Sequence, residues 1–216
     1  SRILVILILS VFTMFFWFAF EQAGSSMNLF ADRYMERNLL GVEIPASMFQ
    51  SFNAFLILLL APFFARLWTG LIRIDKEPNT TLKFSIAFVL LGIGFLFLVF
   101  GSTGITPNSQ VKTGMIWLIL AYLFQTMGEL CISPVGLSMV SKLSPARFGG
   151  MLMGTWFLSN AISHYAAGFF SGKMGQFTNL SDFFLIFVYT SFICSIILFL
   201  LNKKITTMMH NRLAGK

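Results

Sequence analysis

Residues 84–101 read FSIAFVLLGIGFLFLVFG, a run that carries no charged side chain and, in Ser85, a single hydroxyl. Wound into a helix at about 1.5 Å per residue, it reaches most of the way across a hydrocarbon core about 30 Å thick. The rest of the chain has the same character. Hydrophobic residues make up 56% of the 216 positions and charged residues 11%, and Phe alone occurs 27 times. A soluble domain carries about a quarter charged residues, so a chain this poor in charge has lipid as its solvent.

Working outward from that run, six segments are long enough to span a bilayer: 2–38, 46–68, 82–103, 112–141, 148–172 and 182–203. Turn-forming sequence separates them at Leu40-Gly41 before Pro45, at 76–80, at 104–109, at Ser144-Pro145 and at 175–181. The expected fold is an all-α membrane protein, a bundle of six transmembrane helices. The first segment is too long for one crossing, so its end at 32–38 is expected to project into water.

The two cysteines, Cys131 and Cys194, both lie in apolar sequence, which argues against a disulfide framework or a cysteine-based metal site. No signal-peptide pattern marks the N-terminus, whose apolar run continues beyond Trp17. A formal net charge of +7 is compatible with nucleic-acid binding in general. Here, however, the basic residues do not cluster with exposed aromatics, and their placement follows the positive-inside rule. Of the 15 Lys and Arg residues, Arg33, Arg37, Lys112 and Lys173 fall on one side of the six-span topology and the other eleven fall on the side of Arg2. That bias predicts that both termini face the cytoplasm, as in a multi-pass protein of the plasma membrane or bacterial inner membrane.

Four spans carry polar residues at helical intervals. The first has Trp17, Glu21, Ser25, Asn28 and Asp32, predicted to form one helical face, and the second has Ser47, Gln50 and Asn53. The fourth has Gln125, Glu129 and Ser133, and the fifth has Trp156, Asn160 and Ser163 or His164. The third and sixth have no charge in their cores and are expected to be lipid-facing scaffold. Pro62 and Pro134 are each expected to kink or soften the helix that contains them.

Glu129 is the sharpest feature. An acid in mid-span costs about 2.5–3.5 kcal/mol to insert unless it is protonated, paired or facing water. It is either a ligand or proton site, or a structural carboxylate bonded to a neighbouring helix. Glu21 raises the same question, and neither acid has an evident basic partner within the spans. Trp17 and Trp156 sit away from the interfacial belts where Trp concentrates, so they either wall a pocket or pack the interior. Asn53 and Gln50 suit a peptide backbone or helix-to-helix hydrogen bonding. His164 relays protons or makes an interhelical hydrogen bond. Gly149, Gly150 and Gly154 are expected to allow close helix approach.

Several motifs combine. The first span contains Phe16-Trp17-Phe18-Ala19-Phe20-Glu21-Gln22 and Phe30-Ala31-Asp32-Arg33. The fourth contains Gly128-Glu129-Leu130-Cys131-Ile132-Ser133-Pro134, followed by Lys142-Leu143-Ser144-Pro145. With Gln50-Ser51-Phe52-Asn53 and Gly154-Thr155-Trp156-Phe157, the chain resembles the C-terminal half of the proton-dependent oligopeptide transporters, a branch of the major facilitator superfamily. The Glu-x-x-Glu-Arg motif of that family's first helix is absent from the sequence.

The resemblance implies a symporter that imports di- and tripeptides with protons by alternating access, without an enzymatic step, a metal or a cofactor. Its partners would be the peptide substrates, the lipid bilayer and an N-terminal six-helix half, and no nucleic acid. It implies that Glu129 receives the peptide amine and that Asn53 bonds the peptide backbone. Trp17 and Trp156 would wall the pocket, with Ser133, Gln50 and Asn160 beside the substrate, while Glu21, Asp32 and Pro134 would serve proton coupling and gating. Two rivals are a carrier of the same superfamily for nitrate or a drug-like metabolite, and an intramembrane serine protease using Ser138 and His164. Gly136 precedes Ser138 by two residues, but the strained loop and the second flanking glycine of a nucleophile turn are missing for the latter.

Overall fold

The computed structural model describes residues 2–210, so Ser1 and two of the eleven inner-side cations, Arg212 and Lys216, lie outside the described residues. Its long helices are α1 (Arg2–Phe20), α2 (Ser26–Tyr34), α3 (Met48–Arg73), α4 (Thr80–Gly101), α5 (Ile116–Leu143), α6 (Gly149–Ser171) and α7 (Leu180–His210). The boundaries have local causes. Asn79 caps α4, its Oδ1 accepting the Leu82 N–H at 3.0 Å, and α5 stops at the Ser144-Pro145 pair because a residue before proline disfavours helical backbone.

The first span departs from expectation. Residues 2–38 are not one helix with one polar face. A 3₁₀ turn, Glu21–Gly24, separates α1 from α2, and Ser25 adopts φ −123° and ψ −92°. A broken helix at membrane depth survives only where its backbone groups are satisfied by protein. Tyr122 donates to the Ala23 carbonyl at 3.1 Å, and the Gln22 amide donates to the Ala167 carbonyl at 3.4 Å. Beyond Tyr34 the chain leaves the helix altogether. Strand β1 (Met35–Glu36) pairs in parallel with β4 (Thr113–Gly114), and β2 (Asn38–Leu39) forms a hairpin with β3 (Val42–Glu43). The hairpin turns through Leu40 and Gly41, at φ 52° and 86°. Pro62 and Pro134, by contrast, interrupt neither helix: α3 and α5 run through them.

Among the described residues, five stretches are long and apolar enough to cross a membrane: Ile3–Tyr34, Met48–Arg73, Thr80–Gly101, Ile116–Leu143 and Leu180–Met209. The sixth, α6, has the length but carries Ser159, Asn160, Ser163 and His164.

Helix α4 is the centre of the bundle, packed against α7 on one side and α5 on the other, while α1 lies against α6 and α7, and α3 leans on α5. The reading of both uncharged spans as lipid-facing is therefore corrected for α4. Its most apolar stretch is 56% buried, against 11% for α3. Protein interior and lipid are equally apolar, so absence of charge does not distinguish them. Helix α7 does turn residues such as Ile196, Phe199 and Leu200 outward.

The α4–α7 seam is joined by a reciprocal pair, Ser85 Oγ to the Ser195 carbonyl and Ser195 Oγ to the Ser85 carbonyl, each 3.0 Å. It is filled by stacked rings such as Phe95 on Phe187, 4.8 Å apart. The close approaches fall at glycines other than those expected. Nothing lies within 4 Å of a Cβ placed at Gly149, Gly150 or Gly154. A Cβ at Gly128 would meet the Ala87 carbonyl oxygen at 2.8 Å, and one at Gly136 would meet the Trp156 ring at 2.5 Å. Gly128→Ala therefore forces α4 and α5 apart and should cost about 1–3 kcal/mol, read as a lowered thermal-unfolding midpoint in detergent. Gly154→Ala should leave that midpoint unchanged, and a Gly128→Ala protein as stable as the parent would contradict the seam.

Candidate functional site

The polar side chains of α3 and α5 meet at Glu129. Asn53 Nδ2 donates to Glu129 Oε2 at 2.9 Å and lies 3.1 Å from Thr126 Oγ1, which itself donates to the Tyr122 carbonyl at 2.7 Å. Glu129 and Asn53 are both half-buried. Helical spacing explains the cluster from one side, since Tyr122, Thr126 and Glu129 follow at steps of four and three along α5. The acid of mid-span is thus bonded to a neutral amide and has no ion-pair partner among the described residues, an arrangement suited to a positively charged ligand.

Glu21 does have a partner, contrary to expectation. His164 Nδ1 lies 3.2 Å from Glu21 Oε2, joining the turn after α1 to α6. Trp17 stands one turn before Glu21, half-buried, with its ring edge-on to Phe16 and Phe20. Trp156 is placed differently. It is buried in the seam of α4, α5 and α6, against Gly136 and edge-on to Phe84 at 6.5 Å. Gln125, expected beside Glu129, is also buried; its amide faces Met27 Sδ and its side chain packs on Gly94. Gln50 is exposed one turn before Asn53, and its side chain makes no hydrogen bond among the described residues.

Among the described residues, Asn28 Oδ1, Gln125 Oε1, Ser133 Oγ and Asn160 Oδ1 on the polar positions of these helices are buried without a hydrogen-bond partner. Burying such atoms unpaired costs free energy, so sites of this kind favour a polar ligand or water that satisfies them. Ser133 lies one turn beyond Glu129, directly before Pro134, whose missing N–H also leaves the Leu130 carbonyl free of its helical bond.

Clefts open at the two ends of the bundle. One, of about 550 Å³, is bounded by Ser25, Asn28, Asp32, Arg37 and Ser47 among others. Asp32 is exposed there and pairs with Arg37 at 3.1 Å, and Arg37 also holds Glu43 at 3.0 Å. The other, of about 560 Å³, includes Trp68, Lys83, Pro134, Ser138 and Lys142. Lys83 is paired there with Glu77 and sits 4.7 Å above the Trp68 ring. Ser138 thus faces the Lys142 end while His164 is held by Glu21, and no hydrogen bond joins them among the described residues. That placement removes the basis for a serine–histidine nucleophile.

Thr126 and Tyr122 support the site without having been singled out by the sequence. Thr126 had a local signal, its position three residues before Glu129. Nothing in the sequence linked residue 21 to residue 164 or residue 122 to residue 23.

A helical bundle apolar outside, with a polar face carrying two acids, a broken helix and orphaned hydrogen-bonding atoms, is the build of a membrane transport domain. A model of the POT family matches residues 1–197. The chain belongs to that family, whose members are multi-pass membrane transporters rather than enzymes. It is 37% identical over 213 residues to the peptide transporter YePEPT of Yersinia enterocolitica, a match covering 98% of this chain and 42% of that protein. It is 33% identical over 181 residues to dipeptide and tripeptide permease A of Escherichia coli, covering 84% of this chain and 35% of that one.

Among solved structures, a peptide transporter POT in complex with sulfate superposes with a TM-score of 0.82 at 29% identity, covering 95% of this chain and 40% of that chain. A POT family transporter in complex with a thioalcohol-conjugated peptide does so at 0.84 and 28%, covering 95% and 42%. The chain therefore spans about two-fifths of the length of these relatives.

Proposed function

We propose that this chain is the C-terminal six-helix half of a proton-coupled importer of di- and tripeptides, and that it supplies one wall of the central cavity. The observation that carries the reading is the Glu129 carboxylate, held by Asn53 at 2.9 Å and unpaired with any cation among the described residues. An ammonium group is the ligand such a site lacks, and a peptide with a free amino terminus provides one. Nitrate has no amine to offer. Ser133 and Asn160, with their unpartnered oxygens, stand ready to take peptide N–H groups. Trp17 and Gln50 would line the same cavity, and Trp156 would set the spacing behind it from its buried position. Glu21 and Asp32 would serve coupling and gating, with Pro134 loosening α5 beside the site.

The names and ligands of the relatives support peptides as the substrate class. The N-terminal half would complete the cavity and provide the cations for the peptide carboxylate. The test is uptake of labelled dialanine into vesicles containing the full-length transporter. An inward proton gradient should drive accumulation above the external concentration, and its collapse by a protonophore should abolish it. Accumulation that ignores the gradient would overturn the coupling, and no uptake of any dipeptide would overturn the substrate class.

The charge bias makes a prediction about orientation. In this reading the termini and the segments around Arg73 and Lys142 face the cytoplasm, and those around Gly41, Pro107 and Lys173 face outward. In a cysteine-free background, an impermeant maleimide on intact cells should label a cysteine at Lys173 and leave one at Lys76 unmodified. Labelling at Lys76 would invert the topology.

A further inference from the structure

Glu21 and His164 come from opposite ends of the sequence, yet no other ion-pair or hydrogen-bond partner for the Glu21 carboxylate occurs among the described residues. The two are unequally open: the His164 side chain is 53% exposed and that of Glu21 28%. The imidazole engages the acid through Nδ1, and its Nε2 makes no hydrogen bond among the described residues. Asn160, one turn earlier on α6, has its Oδ1 buried and unpartnered. An exposed imidazole with a less exposed carboxylate behind it forms an ordered path for one proton.

We propose that His164 is a proton-relay residue that delivers the coupling proton to Glu21. This rests on the proton-coupled reading above. A hydronium ion reaching the exposed ring protonates Nε2 of the Nδ1–H tautomer and is left as water. The resulting imidazolium passes its Nδ1 proton to Glu21 Oε2. The products are a neutral Nε2–H imidazole and a carboxylic acid, so one proton has entered and one has reached Glu21. Once Glu21 is neutral its attraction for a cation is gone, whether that cation is the imidazolium or one from the other half.

The surroundings permit this. The elements packed against α6 are chiefly α1, the Glu21–Gly24 turn, α5 and the short 3₁₀ turn Ala146–Phe148. Residues 3–20 of α1 carry no charge. On the others the charged groups are Glu21, Glu129, Lys142 and Arg147, with Tyr122 and Cys131 of α5 and Tyr165 of α6 also titratable. Of these only Glu21 is within ion-pair distance of His164.

The experiment compares wild-type and His164→Gln full-length transporter in vesicles, measuring proton-driven accumulation and counterflow of labelled dialanine. Gln retains a donor for Glu21 but cannot carry a proton. Accumulation should fall by roughly tenfold or more while counterflow persists, and the dependence of uptake on pH between about 5 and 8 should flatten. His164→Asn should behave likewise. Wild-type accumulation with an unchanged pH profile in both variants would overturn the relay and leave proton-coupled transport standing. Loss of accumulation and counterflow together in both variants would make the pair a structural clamp and overturn the relay. A wild-type protein with no proton-driven uptake would bring down the underlying reading itself.

Discussion

Glu129→Gln in the full-length transporter should weaken dipeptide binding by well over tenfold, ~1.4 kcal/mol or more. The substitution leaves the geometry nearly intact. The Gln Oε1 can still accept the hydrogen bond from Asn53 Nδ2, so α3 and α5 remain joined. What disappears is the negative charge. A carboxylate and an ammonium about 4 Å apart attract by ~1 kcal/mol in water and by several times that in a cavity walled with protein. Calorimetry or ligand-protected unfolding of the purified protein measures the loss. An N-acetylated dipeptide, which has no ammonium, should bind the parent as weakly as the free dipeptide binds the variant. Equal binding of acetylated and free dipeptide by the parent would remove Glu129 from amine recognition.

Glu21→Gln should separate two activities that the parent couples. The neutral amide imitates the protonated acid permanently, so the carboxylate can no longer alternate between holding a proton and holding a cation. Proton-driven accumulation is expected to disappear, because a state that binds the proton no better in one conformation than in the other cannot bias their exchange. Counterflow down the peptide gradient is expected to continue, since the Asn53–Glu129 pair belongs to other helices. The contact with His164 gives a competing role for Glu21, that of fastening the broken first span to α6. Under that role the variant loses counterflow and thermal stability together with accumulation. Undiminished accumulation would exclude Glu21 from the mechanism.

The motifs that placed the chain in its family lie on the helices that line the polar face, which is why so much of the site was legible. Glu129 and Asn53 stood out because an acid or amide in an apolar span has no reason to be there unless it is bonded or used. The structure joins the two directly. Trp156 shows the opposite case. Its mid-span position one turn before Asn160 suggested a pocket wall, but the ring is buried against Gly136, a contact between residues on two helices that no spacing rule encodes. The same holds for close packing, where the glycines adjacent to Trp156 in sequence meet nothing and those of α5 meet a backbone carbonyl and a ring.

By itself the sequence determined the solvent, the approximate spans and the helices that carry polar groups, because hydropathy and helical period are local properties of consecutive residues. It also bounded the chemistry, since an isolated acid in lipid is costly wherever it points. Only the tertiary structure decided that the first span breaks at Glu21–Gly24, with no proline to announce it, because the bonds that stabilise the break come from Tyr122 and toward Ala167, far along the chain. It decided that the charge-free α4 is the buried centre of the bundle, since protein and lipid offer an apolar helix the same environment. And it decided that Glu21 is paired, because an ion pair depends on distance in space, and residues 21 and 164 become neighbours only when α1 packs against α6.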